Sequence, residues 1–313
     1  MAIKVSILGL GNMGRNHLRV LSMLKGVDIA YIYDVNQQVL QALSAQYKVP
    51  HTDDPNKAID AADAVIIVTP TSTHYDFFKH CAGRVKNVFI EKPLAETLEQ
   101  ALEIEQLAKQ HDMFIQCGFI ERFNPVVVEL KRVLQADSVI NADFTRTNRL
   151  SSRITDVDVV LDLMIHDIDL ALFLNGPIKS ISAHGKKEHG LVAFASAIAV
   201  HENGALSRIL ASRMTEKKIR SIQITSSNAY IDAELVRKEL VLHKQSSMSH
   251  EEGKQYVVSS LEQQIEVKTQ EALLSEHQAF IAACEGNVAA DLPTLESGVE
   301  SLRISQLILE QIS

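Results

Sequence analysis

Short apolar runs alternate with helix-forming segments through the first third of the chain. Residues 4–8, 27–33, 64–69, 87–90 and 113–118 have the apolar, β-branched character of strands in a covered sheet. Residues 14–25, 36–47, 73–81 and 97–111 are expected to form helices between them. This alternation predicts an α/β fold with a doubly wound parallel sheet. We expect six strands in it and number 64–69, 87–90 and 113–118 as the fourth, fifth and sixth.

The pattern changes after Gly118, and strands then dominate. We expect a helix at 125–134, a strand at 140–147 and a very apolar helix at 158–174. Strands at 191–201 and 205–214 should form a hairpin around Asn203-Gly204, and 219–225, 229–232 and 239–243 extend the sheet. An exposed loop is expected at 245–255, followed by helices at 271–284 and 295–312. We therefore predict domains at 1–118 and 119–313, with a last helix that can return to the first domain.

Composition narrows the class of protein. The 313 residues exceed the usual length of one domain, and 46% hydrophobic residues suffice for two cores. A net charge of −8 argues against nucleic acid or an anionic membrane as the main partner. The three cysteines have no disulfide or zinc spacing, no apolar run reaches about 18 residues, and we expect no signal peptide. We expect a cytoplasmic protein without a membrane segment, a nucleic-acid partner or a bound metal.

The first predicted strand runs directly into Gly9-Leu10-Gly11-Asn12-Met13-Gly14, which fits the pattern G-x-G-x-x-G. Gly9 permits a tight turn, Gly11 lets the backbone approach a pyrophosphate, and Gly14 allows close packing of helix and strand. The helix N-terminus presents free N–H groups to a phosphate. Asp34 ends the second strand, where a carboxylate hydrogen-bonds the ribose hydroxyls and repels a 2′-phosphate. These features predict an NAD site and disfavour NADP.

Polar residues also follow two further strands, at the edge of the sheet where ligands bind. Residues 69–74 follow the fourth strand, and Glu91, Lys92 and Pro93 follow the fifth. His74 alone is more often a solvated or capping histidine than a catalyst, whereas Lys92 can bind or polarise a substrate oxygen beside a nicotinamide. The expected cofactor contacts are Gly9, Gly11, Asn12, Met13, Gly14, Asp34, Thr69, Pro70, Thr71, His74, Glu91 and Lys92.

The helix predicted at 158–174 carries charge in a very apolar setting. At about 100° per residue, Asp162, His166 and Asp169 fall on one narrow stripe, and apolar side chains cover nearly all the rest. Because burying an unpaired charge is costly, these groups need partners or a cleft. A satisfied buried hydrogen-bond pair explains the stripe as well as a catalytic cleft does. A metal site is a weaker interpretation, since one helix would supply all three ligands.

Together these motifs resemble the Gfo/Idh/MocA oxidoreductase family. The resemblance rests on residues 9–14 with His17, on Thr69-Pro70, on Glu91-Lys92-Pro93 and on Asp162-x-x-x-His166, and it spans most of the chain in order. It implies a Rossmann domain followed by an α/β domain with a large open, mostly antiparallel sheet, assembled into a homodimer or homotetramer. It also implies a nicotinamide-dependent dehydrogenase of sugars and polyols, with Lys92, Asp162 and His166 as catalytic residues. Residues 118–125 and 156–169 are similar to the bacterial branch of UDP-N-acetylglucosamine 3-dehydrogenases.

The residues also suggest which role each side chain has in such a reaction. His166 is the natural acceptor for the proton of a secondary alcohol, because an ordinary imidazole titrates near neutral pH. Asp162, one turn earlier, would orient the imidazole or bind a neighbouring hydroxyl. Lys92 would hold the reacting oxygen and stabilise its developing negative charge.

The expected substrate contacts are Arg122, Asn124, Arg149 and Arg153, with Arg146 beside them. Arginine forks suit a diphosphate, so these residues fit a nucleotide-sugar such as UDP-N-acetylglucosamine. Solvated surface arginines explain the same pattern, and Asn124 is as well suited to cap a helix as to bind a sugar.

Two further functions fit the sequence. One is a dehydrogenase or reductase of a free sugar, inositol or other polyol, which turnover with myo-inositol rather than a nucleotide-sugar would reveal. The other is a non-catalytic NAD-binding regulator. The complete set of Lys92, Asp162 and His166 argues against the regulator.

The proton-acceptor role predicts the phenotype of His166→Ala. Turnover should fall by about 10²–10⁴-fold, the usual contribution of a general base. NAD binding should stay intact, because His166 lies outside the nucleotide motif. Steady-state turnover and a cofactor titration measure the two effects, and near-wild-type turnover would remove His166 from catalysis.

Overall fold

The computed structural model describes residues 2–135, 137–149, 157–249 and 257–312. The helices are α1 Asn12–Leu21, α2 Gln37–Tyr47, α3 Pro55–Asp60, α4 His74–Cys81, α5 Leu98–Gln110, α6 Pro125–Leu134, α7 Ile165–Asn175, α8 Ala272–Cys284 and α9 Leu295–Ile312. The strands are β1 Ile3–Leu8, β2 Val27–Tyr33, β3 Ala64–Ile67, β4 Asn87–Glu91, β5 Phe114–Gly118, β6 Val139–Arg149, β7 Ile178–Glu188, β8 Leu191–His201, β9 Leu206–Ser212, β10 Met214–Ser226, β11 Ala229–Glu234, β12 Glu239–Ser249 and β13 Val257–Ile265.

The chain divides into two compact units, each with its own core. Unit 1 comprises Met1–Ile120 and Glu271–Arg303, and unit 2 comprises Glu121–Gln270 and Ile304–Ser313. The sequence analysis assigned residues 271–303 to the second domain, whereas their contacts group them with unit 1. Helix α9 begins in unit 1 and ends in unit 2. Within the described ranges, no helix has both the length and the apolar character needed to cross a bilayer.

Unit 1 is built on a parallel sheet with strand order β2-β1-β3-β4-β5. Strand β3 is apolar and buried throughout, as expected for a parallel sheet that is covered on both faces. The predicted doubly wound sheet is confirmed, but the count of six strands is wrong, because the described residues form five. Between α2 and α3, His51 forms one isolated β-bridge with Ile32 of β2. The neighbouring Pro50 has no N–H with which to continue a ladder there.

Helix ends in unit 1 follow local capping chemistry. Asn36 caps α2 by accepting the N–H groups of the second and third helical residues. Helix α1 ends at Leu21 rather than at the predicted residue 25. At its observed end the Ser22 hydroxyl donates to the Leu18 carbonyl (2.6 Å). Helix α3 was not predicted, although Asp54 caps it and a proline occupies its first turn.

Unit 2 contains an eight-stranded sheet in the order β13-β12-β11-β10-β6-β9-β8-β7. Its described pairs are antiparallel except β6 with β9, which confirms the mostly antiparallel sheet. The hairpin at Asn203-Gly204 is confirmed, with Gly204 at φ +87°. The loop predicted at 245–255 is wrong over residues 245–249, which continue β12, while 250–255 lie outside the described residues. The edge strands β7 and β13 were not predicted, since polar edge strands lack the apolar pattern.

The apolar helix predicted at 158–174 is not one regular α-helix. Residues Val160–Met164 form a π turn, in which the N–H of Ile165 donates to the Val160 carbonyl five residues earlier. Helix α7 continues from that turn. Such π turns occur often at functional sites. The angular stripe calculated for a regular helix therefore does not describe this segment.

A buried charge cluster ties α7 to the sheet of unit 2. Arg146 donates Nε and Nη2 to the two carboxylate oxygens of Asp167 (2.9 and 2.7 Å) and Nη1 to Glu121 (2.8 Å). Arg220 adds a contact of 3.1 Å to Glu121. Burial raises the pKa of Asp167, while the guanidinium of Arg146 opposes that shift. Arg146 is only 1% exposed, so its role is structural and its suggested role as a diphosphate ligand is wrong.

This cluster generates a stability prediction. Arg146→Ala leaves Asp167 and Glu121 buried without their shared cation, and we expect a loss of about 3–5 kcal/mol in the free energy of unfolding. The matched control is Arg208→Ala, which removes an exposed partner of Asp143 (3.0 Å) and should cost less than about 1 kcal/mol. Urea unfolding of the three proteins measures both, and equally small losses would contradict the structural role.

Candidate active site

The glycine-rich turn of unit 1 brings backbone close to backbone. Gly9 has φ +97°, and a Cβ atom there would lie 2.6 Å from the carbonyl oxygen of Val68. A Cβ atom on Gly14 would lie 2.0 Å from the carbonyl oxygen of Gly9, so α1 can pack on the turn only with glycine there. Gly11 has open space in front of it. No side chain of the described residues caps the first N–H groups of α1, which leaves them suited to an anion.

Asp34 follows the end of β2 and is held against the same turn. Its Oδ2 accepts the N–H of Leu10 (2.6 Å), and its Oδ1 accepts the N–H of Asn36 (2.8 Å). A carboxylate oxygen can accept more than one hydrogen bond, so the fixed group can still bind ribose hydroxyls. A 2′-phosphate would meet a negative charge at this place.

A cavity of about 480 Å³ lies beside the turn, within the size range of small-molecule sites. It is lined by Gly9, Gly11, Asn12, Met13, Asp34, Val35, Val68, Thr69, Pro70, Thr71, His74, Glu91 and Lys92. The structure therefore brings every predicted cofactor residue to its wall except Gly14, which packs against Gly9. The open glycine backbone, the uncapped helix and the fixed carboxylate suit the pyrophosphate and ribose of NAD.

His74 braces two loops of this cavity. Its Nδ1 lies 2.9 Å from the carbonyl oxygen of Pro93, and its Nε2 lies 2.9 Å from that of Thr69. Burial lowers the pKa of His74, although both carbonyl groups favour the protonated ring. The residue is 1% exposed, so the interpretation of a solvated histidine is wrong. It joins the loop after β3 to the loop after β4, which carries Lys92.

Glu91 starts a buried chain of hydrogen bonds. Its Oε1 lies 2.8 Å from Nε2 of His17, and Nδ1 of His17 lies 2.8 Å from Nε2 of His277. Its Oε2 accepts the backbone N–H of Lys92 (3.0 Å). Burial alone would raise the pKa of Glu91, but the hydrogen bond from His17 and the charge of Lys92 lower it. Burial, aided by His17, lowers the pKa of His277 well below 6.5.

Sequence reasoning missed His277 altogether and noted His17 only as part of the glycine motif. His277 lies in α8, which is separated from β4 by most of the chain. A single histidine in an apolar helix gives no signal of its partner. Only the packing of α8 within unit 1 brings His277 to His17.

In unit 2, Asp162 lies in the π turn and pairs with Arg213. Nη2 of Arg213 donates to Oδ2 of Asp162 (2.8 Å), and Nη1 donates to the carbonyl of Val157. The Arg213 side chain is 4% exposed and that of Asp162 is 27% exposed. The carboxylate is thus partly exposed to solvent and is held by Arg213.

His166 is half-buried in the first turn of α7. Arg213 was missed because nothing in the sequence marks its contact with Asp162.

Asp169 does not share the surroundings of Asp162. It is buried, and its two oxygens accept Nε and Nη2 of Arg122 (2.8 and 2.6 Å). Both acids of the metal interpretation are therefore paired with arginines. Within the described part of the chain, no group of three or more histidine, cysteine, aspartate or glutamate side chains is arranged to hold a metal ion.

The predicted substrate residues have varied surroundings. Arg122 directs its fork at Asp169, and its side chain is 9% exposed. Asn124 caps α6 by accepting the N–H of Val126 (3.1 Å), which is the alternative left open by the sequence. Arg149 ends β6, but its side chain and the whole of Arg153 lie outside the described residues.

Two family models match the chain in succession. The model described as "Oxidoreductase family, NAD-binding Rossmann fold" matches residues 3–119, and "GFO/IDH/MocA C-terminal domain" matches residues 132–232. Together they cover well over half of the chain. The first match contains the glycine turn and Lys92, and the second contains Asp162 and His166.

Individual relatives are dehydrogenases with different substrates. The UDP-N-acetylglucosamine 3-dehydrogenase of Acidithiobacillus ferrooxidans is 24% identical over 98% of this chain and 96% of its own length. Its solved structure has a TM-score of 0.89 over 100% of this chain and 98% of that one. The myo-inositol 2-dehydrogenase of Thermotoga maritima is 26% identical over 95% of this chain and 91% of its own length. A levoglucosan dehydrogenase in complex with NADH shares the fold, with a TM-score of 0.84, 18% identity and coverage of 99% and 97%.

The buried histidine pair generates a pH prediction. His277 is kept neutral in the folded chain, whereas in the unfolded chain it takes up a proton near pH 6.5. Its contribution to stability is therefore present above about pH 6.5 and is lost as the pH falls, by at most about 1.4 kcal/mol per pH unit. We expect His277→Gln to flatten the acid decline in the free energy of unfolding. Urea unfolding at several pH values compares the slopes, and identical slopes would contradict the shifted pKa.

Proposed function

Because the chain belongs to the Gfo/Idh/MocA family of NAD-binding oxidoreductases, we propose that it oxidises the C3 hydroxyl of a nucleotide-sugar such as UDP-N-acetylglucosamine to a ketone, or reduces that ketone in the reverse direction. The chain is an NAD-dependent dehydrogenase acting on a CH–OH group. The observation that carries the finer proposal is the likeness to a UDP-N-acetylglucosamine 3-dehydrogenase along nearly the whole of both chains. Assembly into a homodimer or homotetramer and a cytoplasmic location stay predictions.

The proposed roles follow from the chemistry of each side chain. Bound NAD⁺ supplies the acceptor for the hydride of the carbinol carbon. Lys92, at the cavity wall, holds the substrate oxygen and stabilises the charge that develops on it. His166 takes the hydroxyl proton. Asp162, anchored by Arg213, orients the imidazole or binds a neighbouring hydroxyl.

For the substrate diphosphate we propose Arg149 and Arg153. Arg149 is the last residue of β6, the strand whose neighbour β9 leads into Arg213. Arg122 and Asn124 remain proposals with less support, because each already serves a structural partner in unit 2. A guanidinium fork that already binds a buried carboxylate, as in Arg122, is less suited to a diphosphate.

A free inositol is the second candidate substrate. It is favoured by the likeness to a myo-inositol 2-dehydrogenase over 95% of this chain at 26% identity. The two candidates differ in one feature that a pocket can recognise strongly, namely the charged uridine diphosphate. A site built for this group should lose most of its activity when the group is missing.

The substrate proposal is tested by comparing turnover rates. With NAD⁺, we expect kcat/KM for UDP-N-acetylglucosamine to exceed that for N-acetylglucosamine and for myo-inositol by about 10²-fold or more, or ~2.7 kcal/mol of transition-state binding. Uridine diphosphate alone should inhibit competitively. The Lys92→Ala variant, whose turnover should fall to a low residual rate, serves as the control. Faster oxidation of myo-inositol, with no inhibition by uridine diphosphate, would overturn the nucleotide-sugar in favour of the second candidate.

A further inference from the structure

The buried chain of His277, His17 and Glu91 has no place in the proton or hydride transfers proposed above. We infer that His17 and His277 are positioning residues for Lys92, which act through the carboxylate of Glu91. The inference rests on the proposed role of Lys92 in the reaction. Neither histidine lines the cofactor cavity, so neither is a catalytic residue.

The carboxylate fixes the proton at its end of the chain. An ionised Glu91 only accepts hydrogen bonds, so Nε2 of His17 must carry the proton in their 2.8 Å contact. Nδ1 of His17 and Nε2 of His277 share one proton across 2.8 Å, so one ring donates and the other accepts. Each hydrogen bond orients the next group, and the chain ends in a carboxylate held by His17.

The surroundings leave the carboxylate little freedom. His17 and His277 are fully buried, and the ring of Phe89 lies at 5.4 and 5.6 Å from their ring centroids. On the other side, a Cβ atom on Gly118 would lie 2.9 Å from Oε2 of Glu91. In such a largely buried site, the hydrogen bond from His17 and the charge of Lys92 favour the ionised carboxylate, and His277 holds His17 in place.

Glu91 transmits this orientation to Lys92 in two ways. Its Oε2 holds the backbone N–H of Lys92 at 3.0 Å, where β4 gives way to the loop. Its negative charge also attracts the Lys92 ammonium, which lines the cavity beside Glu91. A displacement of about 1 Å in a residue that holds a reacting group can cost about 10²-fold in rate. The histidines are therefore placed to affect turnover without touching the substrate.

The test compares His277→Leu with His277→Gln, and His17→Leu with His17→Gln. Leucine removes the donor at similar size, whereas glutamine keeps an amide N–H that can donate. The matched control is Gln116→Leu, on strand β5 beside Phe89, because Gln116 is equally buried and its side chain has no hydrogen-bond partner among the described residues. All variants are made in the full chain, and Lys92→Ala is made alone and combined with His277→Leu.

Two measurements separate positioning from simple destabilisation. The first is hydrogen exchange of the Lys92 amide without cofactor, which should become about tenfold faster in the leucine variants and stay unchanged in Gln116→Leu. The second is kcat, which should fall about 10-fold or more in the leucine variants, with NADH affinity within about twofold of wild type and partial rescue by glutamine. In the Lys92→Ala background, His277→Leu should cause no further loss.

The outcomes distinguish this inference from the proposed function. If Lys92→Ala turns over normally, the role of Lys92 fails and the inference fails with it. If Lys92→Ala has only a low residual rate while the His277→Leu loss is absent, or is equal in both backgrounds, positioning through Glu91 is overturned and the proposed function stands. If His17→Leu does not fold, the His277 pair decides alone, because it leaves the contact between His17 and Glu91 in place.

Discussion

Carboxylates in apolar surroundings need fixed partners, and both units of this chain are organised around that requirement. Glu91 would be an unstable anion at the buried end of β4 without His17. Asp167 and Asp169 enter the apolar helix α7 only with Arg146 and Arg122 beside them. Because ion pairs of this kind are rigid, they also fix the backbone that carries Lys92 in unit 1 and His166 in unit 2. Lys92 and Asp162, both proposed for catalysis, are partly exposed, whereas their partners Glu91 and Arg213 are buried.

The sequence was most informative where function requires special backbone geometry. Gly9 and Gly14 were predicted to allow a tight turn and close packing, and a Cβ atom at either position would collide with backbone. The strand-end positions of Asp34 and Lys92 followed from the alternation of strands and helices. The three glycines and Asp34 lie within one βαβ segment, and Lys92 directly follows a strand, so local patterns were enough to find them, although the neighbour of Gly9 is Val68 after β3.

Contacts between distant segments could not be predicted in this way. The pairing of Asp162 with Arg213 spans 51 residues, and that of His17 with His277 spans 260. The π turn at Val160–Met164 also invalidated the angular argument, since an inserted residue changes which side chains share a face. Edge strands β7 and β13 were missed because their polar side chains resemble those of loops. Packing partners, rather than local propensity, decide all of these features.

Hydride transfer is the central claim, and the fate of a single hydrogen atom tests it most directly. UDP-N-acetylglucosamine carrying deuterium only at C3 is incubated with NAD⁺ and the wild-type chain, and the reduced cofactor is analysed by mass spectrometry. The expected result is NADH that carries the deuterium, because the C3 hydrogen leaves with its electron pair. Reduced cofactor without deuterium would contradict oxidation at C3. If neither this substrate nor any polyol reduced NAD⁺, the dehydrogenase activity itself would be contradicted.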